Sequence, residues 1–477
     1  MDREPMTAWS VTMTGEQWAV LRRHLFPGDG EEHGAILRCG IASTPRGSRL
    51  LVRDVIVARD AIDYVPGRYG YRMLTEAFVL DNITVCDDER LAYLAVHCHG
   101  GQNEVGFSDD DLASHARGYP ALLGISRGMP VGALVFARNA VAGDVWLQDG
   151  TRVEVEELRV VGRPRRWLQP RPRRAPTLDK TYDRQSRLFG DQGQQILRRQ
   201  KVAIVGLGGG GSIVNELVAR LGVGHIVLID PDRVDVTNLP RIVGARRVDA
   251  LPRLSDERRP AWVRLVAGQF RAPKVSVARR VVRQAARRTR ITSIMGSVDD
   301  STVTAQLLDC DHIFLAADTA VARHIVNAVA HQYLVPVTQI GAKVSVDPAG
   351  NLTDVFSVSR ASTPGNGCMW CNGLINPDRL RVETTSDEQL ERQRYVDDVA
   401  VVAPSVISLN AVAAAAAVNE WLMCVTGLTR DRDQTLWQQM DAASGEYLLE
   451  IPRGGVACRE CGSRRFARGD AVKLPTH

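Results

Sequence analysis

The chain has 477 residues, of which 44% are hydrophobic and 24% charged, and a formal net charge of +5. That length allows about three domains, or two large ones with a small appendage, and the composition excludes wholesale disorder. The charge excess is local rather than general, because Val161 to Leu178 carries Arg163, Arg165, Arg166, Arg171, Arg173 and Arg174, several prolines and no acid.

The opening Met1-Asp2-Arg3-Glu4-Pro5 lacks the basic then apolar run of a secretory signal, so residence in the cytoplasm is the expectation. From Trp9 to Glu157 short apolar runs alternate with turn signals. Ala35 to Leu37, Leu50 to Val52, Leu91 to Val96 and Val131 to Phe136 read as strands, and Gly15 to Leu25 and Tyr71 to Asn82 as helices. This predicts a mixed α/β domain over 1–160. The arginine- and proline-rich stretch, 161–180, reads as a stiff solvated linker rather than a nucleic-acid contact.

Within the first domain, His97-Cys98-His99 sits at a strand end, where alternate residues point to one side and both imidazoles can reach one ion. Asp111 can close the site as third ligand and leave a fourth position for water, the arrangement of catalytic zinc. Ser108, one helical turn earlier, can hold an oxyanion. Cys98, out of phase on the strand, reads as structural. A bare H-x-H can be a chance pair; here Ser, Asp and Glu accompany it.

The spacing H-x-H-x(8)-S-x-x-D resembles the JAMM motif of the JAB/MPN metalloproteases, many of which cleave isopeptide bonds to ubiquitin-like proteins. The resemblance implies an upstream glutamate that handles the water proton, in an E-x-x-G context. Glu31-Glu32-His33-Gly34 fits, and the spacing selects Glu31. Gly100 stands where the family often has proline.

After Tyr182 the texture changes. Lys201 to Val205 and His225 to Ile229 read as strands, Gly206 to Gly211 as a glycine turn, and Ser212 to Leu221 as a helix: the opening of a doubly wound nucleotide-binding sheet. Further strands are expected at Ile313 to Leu315 and Val335 to Val337. Gly206, Gly208, Gly209 and Gly211 let backbone N–H groups approach phosphate, and Asp230 can bind ribose; this much fits NAD equally.

Asp230-Pro231-Asp232, Asn238-Leu239-Pro240-Arg241, Ala272-Pro273-Lys274 and Ala316-Ala317-Asp318, preceded by Tyr182-Asp183-Arg184-Gln185, resemble the adenylating core shared by E1 activating enzymes and the MoeB/ThiF proteins. The resemblance runs from about Tyr182 to Gly427 and implies a cytoplasmic enzyme using ATP and Mg²⁺. In its terms Asp230 holds the ribose, Asn238, Arg241 and Lys274 contact phosphates, and Asp318 coordinates Mg²⁺. Arg184 reaches the triphosphate from the other subunit of a homodimer. The arginine-rich segment between Arg241 and Lys274 is longer than in MoeB-like proteins, and reads as a lid, a partner surface or, by default, a tolerated insertion.

Cys368-x-x-Cys371 and Cys458-x-x-Cys461 form two thiolate pairs suited to a closed structural zinc. Compact E1 enzymes carry a thioester-forming cysteine before the last helix, but Asp397 to Pro404 contains none. Cys310 and Cys424 read as core residues. The expectation is adenylation without an obligatory enzyme thioester. The apolar stretch from Val401 to Val425, with its run Ala413 to Ala417, is expected to pack inside the protein rather than span a membrane.

Taken together, the chain is expected to be an α/β fusion: a JAB/MPN (JAMM) domain over 1–160 followed by a doubly wound, Rossmann-like E1/ThiF adenylation domain over 181–477 with a Cys₄ zinc site. The resemblances imply ATP-dependent adenylation of the C-terminus of a ubiquitin-like or sulfur-carrier β-grasp protein. They also imply zinc-dependent peptidase processing or deconjugation of the same protein, as in bacterial ubiquitin-like modification systems. An E2-like conjugating enzyme or a sulfurtransferase is the expected onward partner, and no membrane or nucleic-acid partner is expected. Sulfur-transfer biosynthesis through a thiocarboxylate, and a non-catalytic nucleotide-binding sensor or scaffold, are the alternatives.

Overall fold

A computed structural model describes residues 8–65, 72–172, 180–346, 352–384, 405–429 and 436–477. The chain separates into two compact units. One comprises Met1–Arg174 with His331–Leu334 and Ser463–Lys473; the other comprises Ala175–Ala330, Val335–Gly462 and Leu474–His477. Ser463–Lys473 joins the first unit through a bridge of Ile41 to Gly469 and through the Asp470 carboxylate, which accepts the Ser43 N–H at 2.7 Å.

The first unit runs β1 (Trp9–Thr14), α1 (Gly15–Leu25), β2 (Gly34–Thr44), β3 (Gly47–Val57), α2 (Glu76–Glu89), β4 (Ala92–Cys98), α3 (Asp109–Ile125), β5 (Val131–Phe136), β6 (Val141–Trp146), β7 (Arg152–Val161) and β8 (Arg166–Leu168). Its strands lie in the order β1-β3-β2-β4-β5-β6-β7-β8, and β1 also pairs with β7, so the sheet curls back on itself.

Side-chain alternation gives the sheet two apolar faces. Leu94, Val96 and Cys98 of β4 join a cluster with Trp18, Leu21 and Leu25 of α1. Tyr93 joins the opposite cluster with Phe78, Ile83 and Cys86 of α2 and Tyr119 and Leu123 of α3. Each such large side chain contributes about 1.5–3 kcal/mol by leaving water. Thr14 and Gln17 form a capping box that starts α1 directly after β1.

Two expectations for this unit are corrected. The second helix begins at Glu76, not Tyr71, because Thr75 caps it and Leu74 is still extended, bridging to Tyr64. The stretch 161–180 is not wholly linker: Arg166–Leu168 returns as β8 against Leu158–Val160, with Leu168 buried, and 173–179 lie outside the described residues.

The second unit runs α4 (Asp183–Arg199), β9 (Lys201–Val205), α5 (Gly209–Arg220), β10 (His225–Ile229), α6 (Arg247–Ala250), α7 (Ala261–Phe270), α8 (Lys274–Ala285), β11 (Arg290–Ile294), α9 (Ser301–Thr304), β12 (His312–Leu315), α10 (Ala320–Gln332), β13 (Val337–Val346), β14 (Leu352–Ser362), α11 (Pro377–Thr384), α12 (Ile407–Val425), β15 (Trp437–Asp441) and β16 (Tyr447–Glu450). The sheet order is β11-β10-β9-β12-β13-β14-β15-β16; β11 through β13 are parallel and the last strands antiparallel. The chain winds one way from β9 and the other way from β12, so the switch point lies between them.

β13 starts at Val337 rather than Val335, since Pro336 has no N–H for the ladder and instead accepts the Ile313 N–H at 3.0 Å. α12 is long and apolar enough to cross a membrane by length and composition. It packs on α5, β13 and β14, and buries Ala413, Ala414, Ala417, Val418 and Trp421.

Candidate functional site

The switch point gathers most of the residues that the glycine motif suggested. β9, β10 and β12 end side by side, with Val205 in register with both Ile229 and Leu315. The carboxyl ends of such strands at a switch point form a ligand crevice. Gly206 turns the chain with φ +89°, and a Cβ there would sit 2.7 Å from the Ala317 amide nitrogen. A Cβ on Gly211 would meet the Gly206 carbonyl oxygen, and one on Gly209 the Asn410 side chain. These three glycines are explained by packing. Gly208 is not, since its Cβ would meet nothing within 4 Å. It also stands at the N-cap of α5 without a side-chain cap, which leaves the first-turn N–H groups open to an anion. Those features fit a nucleotide's phosphates.

The Asp230 carboxylate is buried. It accepts the Leu207 N–H at 2.6 Å and the Asp232 N–H at 2.9 Å. Burial pushes its carboxyl above the usual range, opposed by Lys274, whose Nζ lies 3.6 Å from Asp230 Oδ1 and 2.7 Å from Asp232 Oδ2. Asp232, a motif residue given no role above, thus holds the cation at the start of α8. Asn238 is engaged in a 3₁₀ turn: its Oδ1 accepts the Asp235 N–H at 3.0 Å, and its carbonyl accepts the Arg241 N–H at 3.0 Å. Asp318 is exposed just beyond β12, and Arg184 is exposed in the first turn of α4. Asp397 to Pro404, the expected place of a thioester cysteine, lies outside the described residues.

In the first unit, His97 at the end of β4, His99 just beyond it and Asp111 in the first turn of α3 bring their ligand atoms within 4.8 Å of one another. The two Nε2 atoms are 3.2 Å apart, and Asp111 lies 3.3 Å from His97 and 3.5 Å from His99. A tetrahedral ion with bonds of about 2.05 Å would hold its nitrogens about 3.3 Å apart, so the set fits zinc. Burial would raise the Asp111 carboxyl, but hydrogen bonds from His97 and His99 outweigh it and hold it far below the usual range. Ser108 acts locally, since its Oγ accepts the Asp111 N–H at 3.2 Å as the N-cap of α3 and donates to Asp111 Oδ2 at 2.7 Å.

The choice of Glu31 is where geometry and spacing part. Glu32, not Glu31, faces the histidines, with Oε1 3.9 Å from His99 Nε2. The reason is register. Gly34 pairs with His97 across the sheet and the His33 N–H donates to Cys98 Sγ, so the chain just before β2 still runs beside the end of β4 and brings Glu32 to His99. Burial raises the Glu32 carboxyl, offset by His99 and His97. Cys98 points away as expected, donating its Sγ hydrogen to the Leu25 carbonyl at 3.0 Å.

Cys368, Cys371, Cys458 and Cys461 converge with all four sulfurs within 4.8 Å of one another. The Cys371–Cys461 and Cys368–Cys458 separations are 3.7 and 4.0 Å. Zn–S bonds of about 2.3 Å in a tetrahedron place sulfurs about 3.8 Å apart, so the cluster fits a closed structural zinc. Asn327 orients one knuckle, donating to Cys368 Sγ at 3.6 Å and accepting the Met369 N–H at 2.8 Å.

Comparison with known proteins matches residues 182–453 to the ThiF family. The molybdopterin-synthase adenylyltransferase of Escherichia coli (strain K12) is 30% identical over 192 residues, 40% of this chain and 66% of that protein. The tRNA threonylcarbamoyladenosine dehydratase of Bacillus subtilis (strain 168) is 39% identical over 77 residues, 15% of this chain and 30% of that protein. The crystal structure of E. coli MccB with MccA-N7isoASN aligns with a TM-score of 0.45 at 19% identity, covering 60% of this chain and 76% of that one. The chain thus spans less than a third of the dehydratase and about two thirds of the adenylyltransferase. The family match covers the second unit from α4 through β16, including the glycine loop, Asp230, Lys274 and Asp318, and on that match the chain belongs to the ThiF family.

Proposed function

We propose that the second unit adenylates the C-terminal carboxylate of a ubiquitin-like or sulfur-carrier protein. The carboxylate oxygen attacks the α-phosphorus of ATP, the bond to the β-phosphate oxygen breaks, and pyrophosphate leaves. The observation that carries this reading is the placement of Gly208, the open start of α5, Asp230, Lys274 and Asp318 at the carboxyl edge of one sheet. Three negatively charged phosphates and a carboxylate must be brought together there, and fixed cations with the dipole of α5 offset their repulsion. Asp318 would hold Mg²⁺, which would supply further neutralising charge. Lys274, held by Asp232, is positioned before the nucleotide arrives. Arg184 reaches the site of a second copy in a homodimer. The product leaves as an adenylate, to be taken up by an E2-like enzyme or a sulfurtransferase.

In the first unit we propose a zinc peptidase or isopeptidase acting on the same C-terminus. The converging His97, His99 and Asp111 support it. Zinc held by His97, His99 and Asp111 would supply a Lewis acid that acidifies a water molecule. The Glu32 carboxylate takes the proton, and the Ser108 hydroxyl, turned from Asp111, stabilises the oxyanion.

Exchange of labelled pyrophosphate into ATP tests the first reading, measured with small β-grasp proteins encoded beside this one. It should need their free C-terminus and fall by about 100-fold or more in Asp318→Ala and Lys274→Ala. No exchange with any of them would sink it. For the second, a β-grasp protein extended past its tail should be trimmed in a reaction lost in His97→Ala. The relatives of this chain include both a molybdopterin-synthase adenylyltransferase and ubiquitin-like modifier-activating enzymes, and release of a thiocarboxylate when a sulfurtransferase is added decides between a sulfur-carrier and a conjugated substrate.

A further inference from the structure

The insertion between Arg241 and Lys274 contains α7, and α7 turns its apolar side outward. Trp262, Leu265, Val266 and Phe270 recur at helical spacing and so share one face. They are 69%, 71%, 45% and 74% exposed, whereas Ala267 is the buried residue of the helix. A surface helix ordinarily does the reverse. Val248 of α6 and Leu254 from the turn after it are exposed as well.

The border of this face carries an excess of positive charge. From Arg258 to Lys274 the chain has Arg258, Arg259, Arg264, Arg271 and Lys274 and no acid, the nearest being Asp256 and Glu257 just before. Arg271 is held by Asp235 at 2.6 Å and Lys274 by Asp232 at 2.7 Å, while Arg258, Arg259 and Arg264 are exposed. The occupant must therefore be anionic and must also accept large apolar side chains. A second copy whose two-fold axis passes through this face would bring these arginines against their own copies. Nucleic acid offers phosphates but no seat for Leu265 and Val266.

We propose that α7 lies on an anionic membrane surface. Headgroup phosphates meet Arg258, Arg259 and Arg264, while Trp262, Leu265, Val266 and Phe270 enter the boundary of the acyl region, the division of labour of interfacial helices. A bilayer meets both demands at once without a shaped pocket. The surface belongs to the second unit alone and does not depend on the adenylation reading.

Flotation of the full chain with vesicles of phosphatidylcholine alone, and of phosphatidylcholine containing about one third phosphatidylglycerol, tests the proposal. The chain should float with the anionic vesicles only. Binding should fall about tenfold or more in Leu265→Glu/Phe270→Glu, and also in Arg258→Glu/Arg259→Glu. Raising ionic strength from about 0.1 M to about 1 M, which shortens the screening length from about 10 Å to about 3 Å, should weaken it. All four positions are exposed, so both variants should keep the parent melting temperature. Failure of the parent chain to float overturns the proposal, as does equal binding to phosphatidylcholine alone or flotation that survives both variants. A smaller particle mass of Leu265→Glu/Phe270→Glu by light scattering, without vesicles, would instead make α7 a protein contact and also overturn it.

Discussion

At the scale of single residues, the sharpest test concerns two adjacent glutamates. Glu32 Oε1 stands 3.9 Å from His99 Nε2, whereas the E-x-x-G spacing selects Glu31. Glu32→Gln should lower peptidase turnover by about 10²–10⁴-fold while zinc content stays unchanged, and Glu31→Gln should stay within about threefold of the parent. The reverse result would restore the choice made by spacing. A second residue, His115, lies one helical turn beyond Asp111, stacked on Tyr119 with ring centroids 4.6 Å apart. Burial pulls its pKa down to about 4. Above pH 6.5 the ring is neutral in both folded and unfolded chains and its titration adds nothing. As pH falls from 6.5 towards about 4 the unfolded chain takes up the proton first, so stability is lost across that window, at most about 3 kcal/mol. His115→Phe should flatten the acid limb of the first unit's melting curve; an unchanged limb would show that His115 is not its source.

At the scale of elements, the glycine loop separates fold from ligand. Gly206→Ala forces a Cβ against the Ala316–Ala317 peptide at φ +89°, and should cost the second unit about 2–4 kcal/mol in denaturant melts. Gly208→Ala has ordinary φ and open space, so its melts should match the parent while ATP affinity drops by about tenfold or more. Equal loss of stability in both would mean that the loop is only a packing device. Which elements are legible in the sequence follows from their burial. After Lys201 and His225, β9 and β10 are unbroken apolar runs buried on both faces, and their bounds match the expected ones. β8 and β16 are edge strands and β15 lies next to the edge, all with weak alternation, Tyr447 to Glu450 being exposed throughout, so periodicity carries no signal there. The His97, His99 and Asp111 set was legible because strand phase and a helix cap fix it locally. Which glutamate joins it was not, because that depends on how β2 enters its pairing with β4.

For the whole molecule, two clusters of different character that could hold a metal ion sit on one chain, and they should be separable in one titration. The cysteine site ties the segment after β14 to the segment after β16. Cys368 and Cys371 thus meet Cys458 and Cys461 across a long loop that contains α11, α12, β15 and β16. Closing such a loop in the folded state makes metal binding part of folding free energy. The histidine cluster joins only the end of β4 and the start of α3, two elements that share one apolar cluster, and three protein ligands would leave a zinc ion a fourth position for water. Mass spectrometry of metals on the purified chain should give two zinc equivalents, falling to one in His97→Ala/His99→Ala and to one in Cys371→Ser/Cys461→Ser. The thermal consequences should differ. The cysteine variant should lose the second unit's melting transition or shift it down by at least several degrees, as expected for a loss of about 2 kcal/mol or more. The histidine variant should keep that transition and lose only peptide cleavage. A mild chelator should strip the open site first, abolishing cleavage while pyrophosphate exchange persists. If exchange and cleavage disappear together at the first equivalent removed, the two sites are not independent, and the division of labour between the units is wrong.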